Sequence, residues 1–151
     1  MKFEIVKPEI LNKEGIKKEN VKIPIRSTAN SAGYDFYSPV NRKIYMNETV
    51  IIPTGIKVKL DQDKFLQIHI RSSIGIKKNI VLANCTGIID ADFYENESND
   101  GIISIALKNL NPEPFDVNIN DKLVQGIILS YYITKEDSAT GNRSGGIGST
   151  D

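Results

Sequence analysis

Two aspartates with one residue between them, Asp90 and Asp92, close the segment TGIIDAD that starts at Thr86. Gly87 permits a tight approach or a positive φ, and Ile88 and Ile89 are strand formers that put Asp90 at a strand's end. If the strand continues, both carboxylates lie on one side, where they could hold a cation or poise a water. An Asx turn ending a hairpin has the same pattern. Arg71, Ser72 and Ser73 form a second group, directly after the run FLQIHI and before Gly75. A forked cation, two hydroxyls and exposed amides can bind phosphate; a surface arginine followed by a cap reads the same way. Asp35 lies among Tyr34, Phe36 and Tyr37 in AGYDFYSP, which favours a buried, hydrogen-bonded carboxylate over an exposed site residue. From Glu136 the chain reads EDSATGNRSGGIGSTD, the composition of a flexible tail. Its glycines can also turn amides toward anionic oxygens, with Arg143, Ser149 and Thr150 adding charge and hydroxyls. His69, the single histidine, has no partner pattern for base catalysis, and Cys85 reads as a packed thiol.

Short strands must carry these residues. Met1, Phe3 and Ile5 alternate with Lys2 and Glu4, and Val21, Ile23 and Ile25 with Lys22 and Pro24. After a Thr54-Gly55 turn, Ile56, Val58 and Leu60 alternate with Lys57 and Lys59. Leu66, Ile68 and Ile70 share one face of the next run, Gln67, His69 and Arg71 the other. Ile102 to Leu107 and Lys122 to Ile133 add two more runs. A period of two with Gly, Asn, Asp or Pro between runs predicts strands. No segment sustains a helical apolar stripe over three turns: 12–20 is too polar and glycine-interrupted, and Ser72 to Lys78 suits only a short helix. The expectation is an all-β sandwich, jelly roll or barrel over residues 1–135, followed by a glycine-rich arm over 136–151.

Composition narrows the function classes. A chain of 151 residues fits one domain, and 40% hydrophobic with 25% charged residues excludes wholesale disorder. Nineteen basic side chains match nineteen acidic ones, for a formal net charge of +0, which disfavours bulk nucleic-acid binding. No apolar run approaches the ~20 residues that span a bilayer, and the lone Cys85 excludes an internal disulfide framework or a cysteine zinc cluster. A cytoplasmic domain without membrane or nucleic-acid partners is expected.

Taken in order, AGYDFYSP, RSSIGIK, ANCTGIIDADF, NDKLVQGIIL and NRSGGIGSTD resemble the five motifs of the trimeric dUTPase family, spanning Ala32 to Asp151. The resemblance implies a distorted jelly-roll-like β-barrel of the dUTPase type with a flexible C-terminal arm. It further implies a homotrimer with active sites between subunits, and Mg²⁺-dependent hydrolysis of dUTP to dUMP and pyrophosphate. By the same resemblance Asp90 activates the water that strikes the α-phosphorus, and Asp35 reaches Mg²⁺ through water. Arg71, Ser72 and Ser73 would contact the phosphates, Ser73 standing where many members have Gly. Asn84 and the backbone of Gly87, Ile88, Ile89 and Asp90 would read uracil, Phe93 would pack on deoxyribose, and Gln125 would lie near the phosphates. Arg143, Gly146, Ile147, Gly148, Ser149 and Thr150 would form the closing arm.

Such a site works by positioning and electrostatics around an in-line displacement. A rigid hairpin can reject cytosine, since each mispaired buried group costs ~1–3 kcal/mol. Three departures stand out. Phe93 replaces the usual Tyr, and FYENESNDG (Phe93 to Gly101) is longer and more acidic than the usual Tyr-Arg-Gly-Glu. Ile147 replaces the phenylalanine that stacks on uracil. Base–aromatic stacking is worth roughly 1–3 kcal/mol, so weaker substrate affinity is expected unless an aromatic such as Tyr94 supplies the lid. Two alternatives share the scaffold. A dCTP deaminase-like enzyme has a similar RSS segment, but needs a base for attack at C4 and lacks this arm. A nucleotide-gated regulatory protein, as some phage-borne relatives are, would use ENESNDG to meet a protein partner.

Overall fold

The structure is a computed structural model and describes residues 1–141, 143, 145 and 146. Twelve strands and two short helices are found among them: β1 (Lys2–Ile5), α1 (Pro8–Lys13), β2 (Ile25–Arg26), β3 (Tyr34–Tyr37), β4 (Arg42–Ile44), β5 (Thr49–Pro53), β6 (Ile56–Lys59), β7 (Lys64–Ile70), α2 (Ser72–Lys78), β8 (Ile80–Leu82), β9 (Gly87–Asp90), β10 (Ser104–Asn109), β11 (Phe115–Val117) and β12 (Lys122–Ser130). The largest sheet has the order β2-β3-β12-β7-β9, and a second has β5-β10-β8; β1-β6 and β11-β4 are two-stranded. All of these pairings are antiparallel. The all-β expectation holds, and no helix among the described residues is long and apolar enough to cross a membrane.

The inward faces of the sheets meet in one core. Phe36, Ile44, Ile52, Leu66, Ile80, Ile105, Leu107 and Leu123 are fully buried. The Phe3 ring meets Phe36 edge-on at 5.6 Å between centroids. At Gly126, in β12, an added Cβ would lie 2.8 Å from both Leu66 Cδ1 and Phe36 Cε2, so the two rows close over a residue without a side chain.

Several boundaries differ from those the pattern predicts. Only Ile25 and Arg26 of the stretch around 21–26 pair, against β3; Pro24 has no amide to donate to a ladder. The helix α1 begins at Pro8 in its first turn and buries Leu11, and a 3₁₀ turn (Lys18–Asn20) falls in the stretch read as non-helical. The short helix at Ser72–Lys78 forms and ends on Asn79, whose φ is 48°. The run 122–133 stops pairing at Ser130, because its partner β7 begins at Lys64. Cys85 is exposed rather than packed, at the tip of a turn. Lys57 is buried although the alternation turned it outward with Lys59.

Candidate active site

A hairpin builds the first part of the site. β8 leads into Asn84-Cys85-Thr86, and the chain returns as β9 along β7, with Gly87 opposite Ile68 and Asp90 opposite Phe65. The turn is held by Cys85 N–H donating to Leu82 O (3.1 Å) and by the Thr86 hydroxyl donating to Ile68 O (2.9 Å). Gly87 serves close approach: a Cβ there would sit 3.2 Å from Ile68 Cβ. Beside the hairpin lies a cleft of about 270 Å³. Asn84, Gly87, Ile88, Ile89, Asp90 and Phe93 line it together with Arg143 and Gly146 of the arm. Ile51, Ile68, Leu82, Ile102, Ile105 and Ala106 supply its apolar lining, and Asn99 and Ser104 add polar groups.

The two aspartates meet by a different route from the one expected. The strand does not continue past Asp90; Ala91–Phe93 form a 3₁₀ turn. Asp90 and Asp92 are joined instead by Arg143, whose Nη2 donates to Asp90 Oδ2 at 2.6 Å and whose Nε donates to Asp92 Oδ1 at 2.8 Å. The guanidinium carbon stands 5.9 Å from the Phe93 ring centroid. Both carboxylates stay open to solvent, with side-chain exposures of 46% for Asp90 and 59% for Asp92.

A second group lies outside the cleft. Asp35 is buried, as its aromatic flanks suggested, and its Oδ1 is ion-paired with Arg71, Nε standing 3.1 Å away. Its Oδ2 accepts from Lys122 Nζ at 2.8 Å and from the Ser27 hydroxyl at 2.6 Å. Burial pushes this carboxyl up, but the Lys122 and Ser27 hydrogen bonds and the Arg71 charge outweigh it and hold the group below the ordinary carboxylate range. Ser72 and Ser73 open α2 and are exposed, with first-turn amides that have no partner inside a helix. Gln125 is registered between Asp35 on β3 and His69 on β7. Gly33 makes room for it, since a Cβ there would fall 2.6 Å from Gln125 Oε1.

Within one chain, then, Asn84, Gly87, Ile88, Ile89, Asp90, Phe93, Arg143 and Gly146 come together, and Asp35, Arg71, Ser72, Ser73 and Gln125 do not line the same cleft. Ile147, Gly148, Ser149 and Thr150 lie outside the described residues. Tyr94 does not line the cleft either: its hydroxyl donates to Glu4, and Lys57 Nζ stands 4.9 Å from its ring centroid. Within the acidic segment Glu95, Glu97 and Ser98 are exposed, while Asn96 and Asp100 are buried. The residues not foreseen are Ser27 and Lys122 on Asp35, and Asn99 and Ser104 in the cleft. Lys122 stands inside NDKLVQGIIL, and a buried carboxylate needs a cation, so the sequence held a signal for it. Nothing in the spacing points to Ser27, Asn99 or Ser104.

Among the described residues no cluster of three or more His, Cys, Asp or Glu side chains could cage a metal ion. Asp35 Oδ2 already accepts two hydrogen bonds and Oδ1 is ion-paired with Arg71, which suits contact with a cation through water. Magnesium typically keeps several waters and takes one or two carboxylates plus substrate phosphates, so these residues fit an ion that arrives with a polyphosphate.

Comparison with known proteins identifies the family. The dUTPase family model matches residues 19–151. The deoxyuridine 5'-triphosphate nucleotidohydrolase of Lactococcus lactis is 34% identical over 136 residues, covering 89% of this chain and 91% of that protein. The protein of the same name from Finegoldia magna is 34% identical over 118 residues, 77% of this chain and 78% of its own. Among solved structures, the dUTPase of Streptococcus mutans matches with a TM-score of 0.79 and 30% identity over 89% of this chain and 99% of that one. The dUTPase from phage phi11 of S. aureus shares the fold at a TM-score of 0.72 and 20% identity, over 95% and 97% of the two chains.

Proposed function

The chain belongs to the dUTPase family, and from that membership we infer that it is a dUTP diphosphatase, converting dUTP and water to dUMP and pyrophosphate. The observation that carries the reading is the hairpin cleft, lined by Asn84, Gly87, Ile88 and Ile89 and with the solvent-open Asp90 carboxylate among its lining groups. The Asn84–Asp90 hairpin would read the N3–C4 edge of uracil, and Phe93 would pack on the deoxyribose and leave no room for a 2′-hydroxyl. Asp90 would take a proton from the attacking water as its oxygen bonds to the α-phosphorus. The bond from that phosphorus to the α–β bridging oxygen breaks, and the electron pair leaves with pyrophosphate. An aspartate carboxylate held in place by a rigid strand end suits general-base work.

Arg71, Ser72, Ser73 and Gln125 would bind the phosphate chain, and that they do not line the cleft supports a site completed by another copy. We therefore read the assembly as a homotrimer with shared sites, each cleft receiving the phosphate-binding group of a neighbour. Asp35 would hold Mg²⁺ through water. The ion, when bound, offsets phosphate charge and orients the chain of phosphates. Arg143 would leave Asp90 and Asp92 for the polyphosphate, and Gly146, Ile147, Gly148, Ser149 and Thr150 would follow it in closing the arm. Cytoplasmic residence fits a free nucleotide substrate.

A turnover assay tests the reading. Pyrophosphate release from dUTP in Mg²⁺, strongly reduced without Mg²⁺ and with dCTP, dTTP or UTP, is expected. Ammonia release from dCTP would instead identify a deaminase and overturn it.

A further inference from the structure

The turn between β8 and β9 bridges two sheets. β8 lies at the edge of β5-β10-β8, whereas β9 lies at the edge of the five-stranded sheet, beside β7. On the β8 side Ala83 N–H donates to Ala106 O at 2.9 Å, and on the β9 side the Thr86 hydroxyl donates to Ile68 O at 2.9 Å. Between these anchors the chain doubles back over three residues. Thr86 N–H donates to Asn84 O at 2.6 Å around Cys85, whose φ is 62°. A turn closed over three residues with a positive central φ is a rare and strained form, and Cys85 adopts it without the freedom of glycine. Such strain persists only where the surroundings enforce it.

The strained turn has one side on the cleft. Asn84 and Gly87 line it, while Cys85 and Thr86 do not. A Cβ on Gly87 would lie 3.2 Å from Ile68 Cβ and 3.9 Å from Asn84 Nδ2, so Gly87 is packed between the Asn84 carboxamide and β7. The Thr86 hydroxyl thus grips, from behind the cleft wall, the same residue against which Gly87 closes. Losing that grip would free Cys85 to return to negative φ and turn Asn84 relative to Gly87.

We propose that Thr86 is a positioning residue for pyrimidine selection, its bond to Ile68 keeping the Asn84–Cys85–Thr86 turn in the shape that presents Asn84 and Gly87 to the base. This role rests on the dUTPase reading of the cleft. Gly87 is opposite Ile68, and Asp90 stands at the other end of β9, opposite Phe65. Base selection should therefore respond more than the chemical step.

Thr86→Ala and Thr86→Ser test the role, since both lack the methyl and only serine keeps the hydroxyl. Calorimetry with dUMP and dCMP reads selection without turnover, and wild-type protein should prefer dUMP. Thr86→Ala should lose about fivefold of that preference, the size of one net hydrogen bond. Its KM for dUTP should rise by a similar factor with kcat changed less. Thr86→Ser should keep the wild-type preference; a fall as large as about fivefold overturns the role, whether or not Thr86→Ala folds. A Thr86→Ala protein that melts lower but keeps the wild-type ratio of dUMP to dCMP affinity has lost stability alone, which also overturns it. Either result leaves the enzyme reading intact, because wild-type hydrolysis of dUTP still stands. A wild-type protein that neither prefers dUMP nor hydrolyses dUTP defeats the enzyme reading, and the Thr86 role falls with it.

Discussion

At the scale of single residues, the proposed chemistry concentrates on Asp90. Its carboxylate stands 46% exposed at the cleft rim, bonded to Arg143. Asp90→Asn should lower kcat by at least ~10²-fold, the usual scale for losing a general base, while nucleotide still binds by calorimetry; substantial residual turnover would refute the assignment. Ile147 is the residue at which affinity should be easiest to gain. Ile147→Phe should lower KM for dUTP by roughly tenfold or more, since base stacking is worth roughly 1–3 kcal/mol. A KM left unchanged or raised would show that closure needs no ring. Asp35 gives a pH signature. Its folded-state carboxyl sits below the ordinary value of 3.8, so it contributes stability above that pH and loses it as pH falls through the lowered value. Urea unfolding from about pH 6 down to about pH 2 should show Asp35→Asn with a shallower loss than wild type toward the acid end. Aspartates with marked neighbours could be found in the sequence; their partners Ser27 and Lys122 come from 8 and 87 residues away, a separation no local pattern encodes.

At the scale of elements, the alternating runs translated well where one face met the core. Leu66 and Ile68 in β7 and Ile105 and Leu107 in β10 are buried as the period demands. The alternation failed where a polar residue had a buried partner. Lys57 is read as outward from its alternation with Ile56 and Val58, yet its side chain is 6% exposed against an Asp100 that is 3% exposed. Burial pulls this amine down, but the Glu95 and Asp100 carboxylates outweigh it and raise it above the ordinary lysine value. Its stabilisation is therefore present at neutral pH and fades only as pH rises past the lysine range. Lys57→Met strands a buried Asp100 and should cost about 3 kcal/mol by thermal or urea unfolding. Adding Asp100→Asn should recover part of that loss, because the stranded charge goes with it. The loop bearing Asn99 and the turn after Phe93 depend on this pair, so the site's rear wall was hidden from sequence for the same reason that Lys57 was.

At the scale of the whole molecule, the five motifs were legible in order, yet one chain does not gather them. The hairpin and arm meet at the cleft, and the Arg71 and Gln125 group stays apart. If a neighbour completes each site, two defective chains should rescue one another. Asp90→Asn and Arg71→Ala proteins, each nearly inactive, should regain dUTP hydrolysis when co-assembled, with roughly a quarter of sites intact by random assortment. Co-assembled mixtures no better than either parent would mean that each chain builds its site alone. The sequence announces the need for assembly only through the family pattern, since oligomer contacts leave no period in a strand.

Cys85 is the chain's single cysteine, exposed at the tip of the turn between β8 and β9 with φ of 62°. A thiol-directed fluorophore would attach at one place without any engineered background. Asn84, its immediate neighbour, lines the cleft, so the dye's emission should report occupancy in real time, giving a stopped-flow handle on how fast the pocket fills and empties.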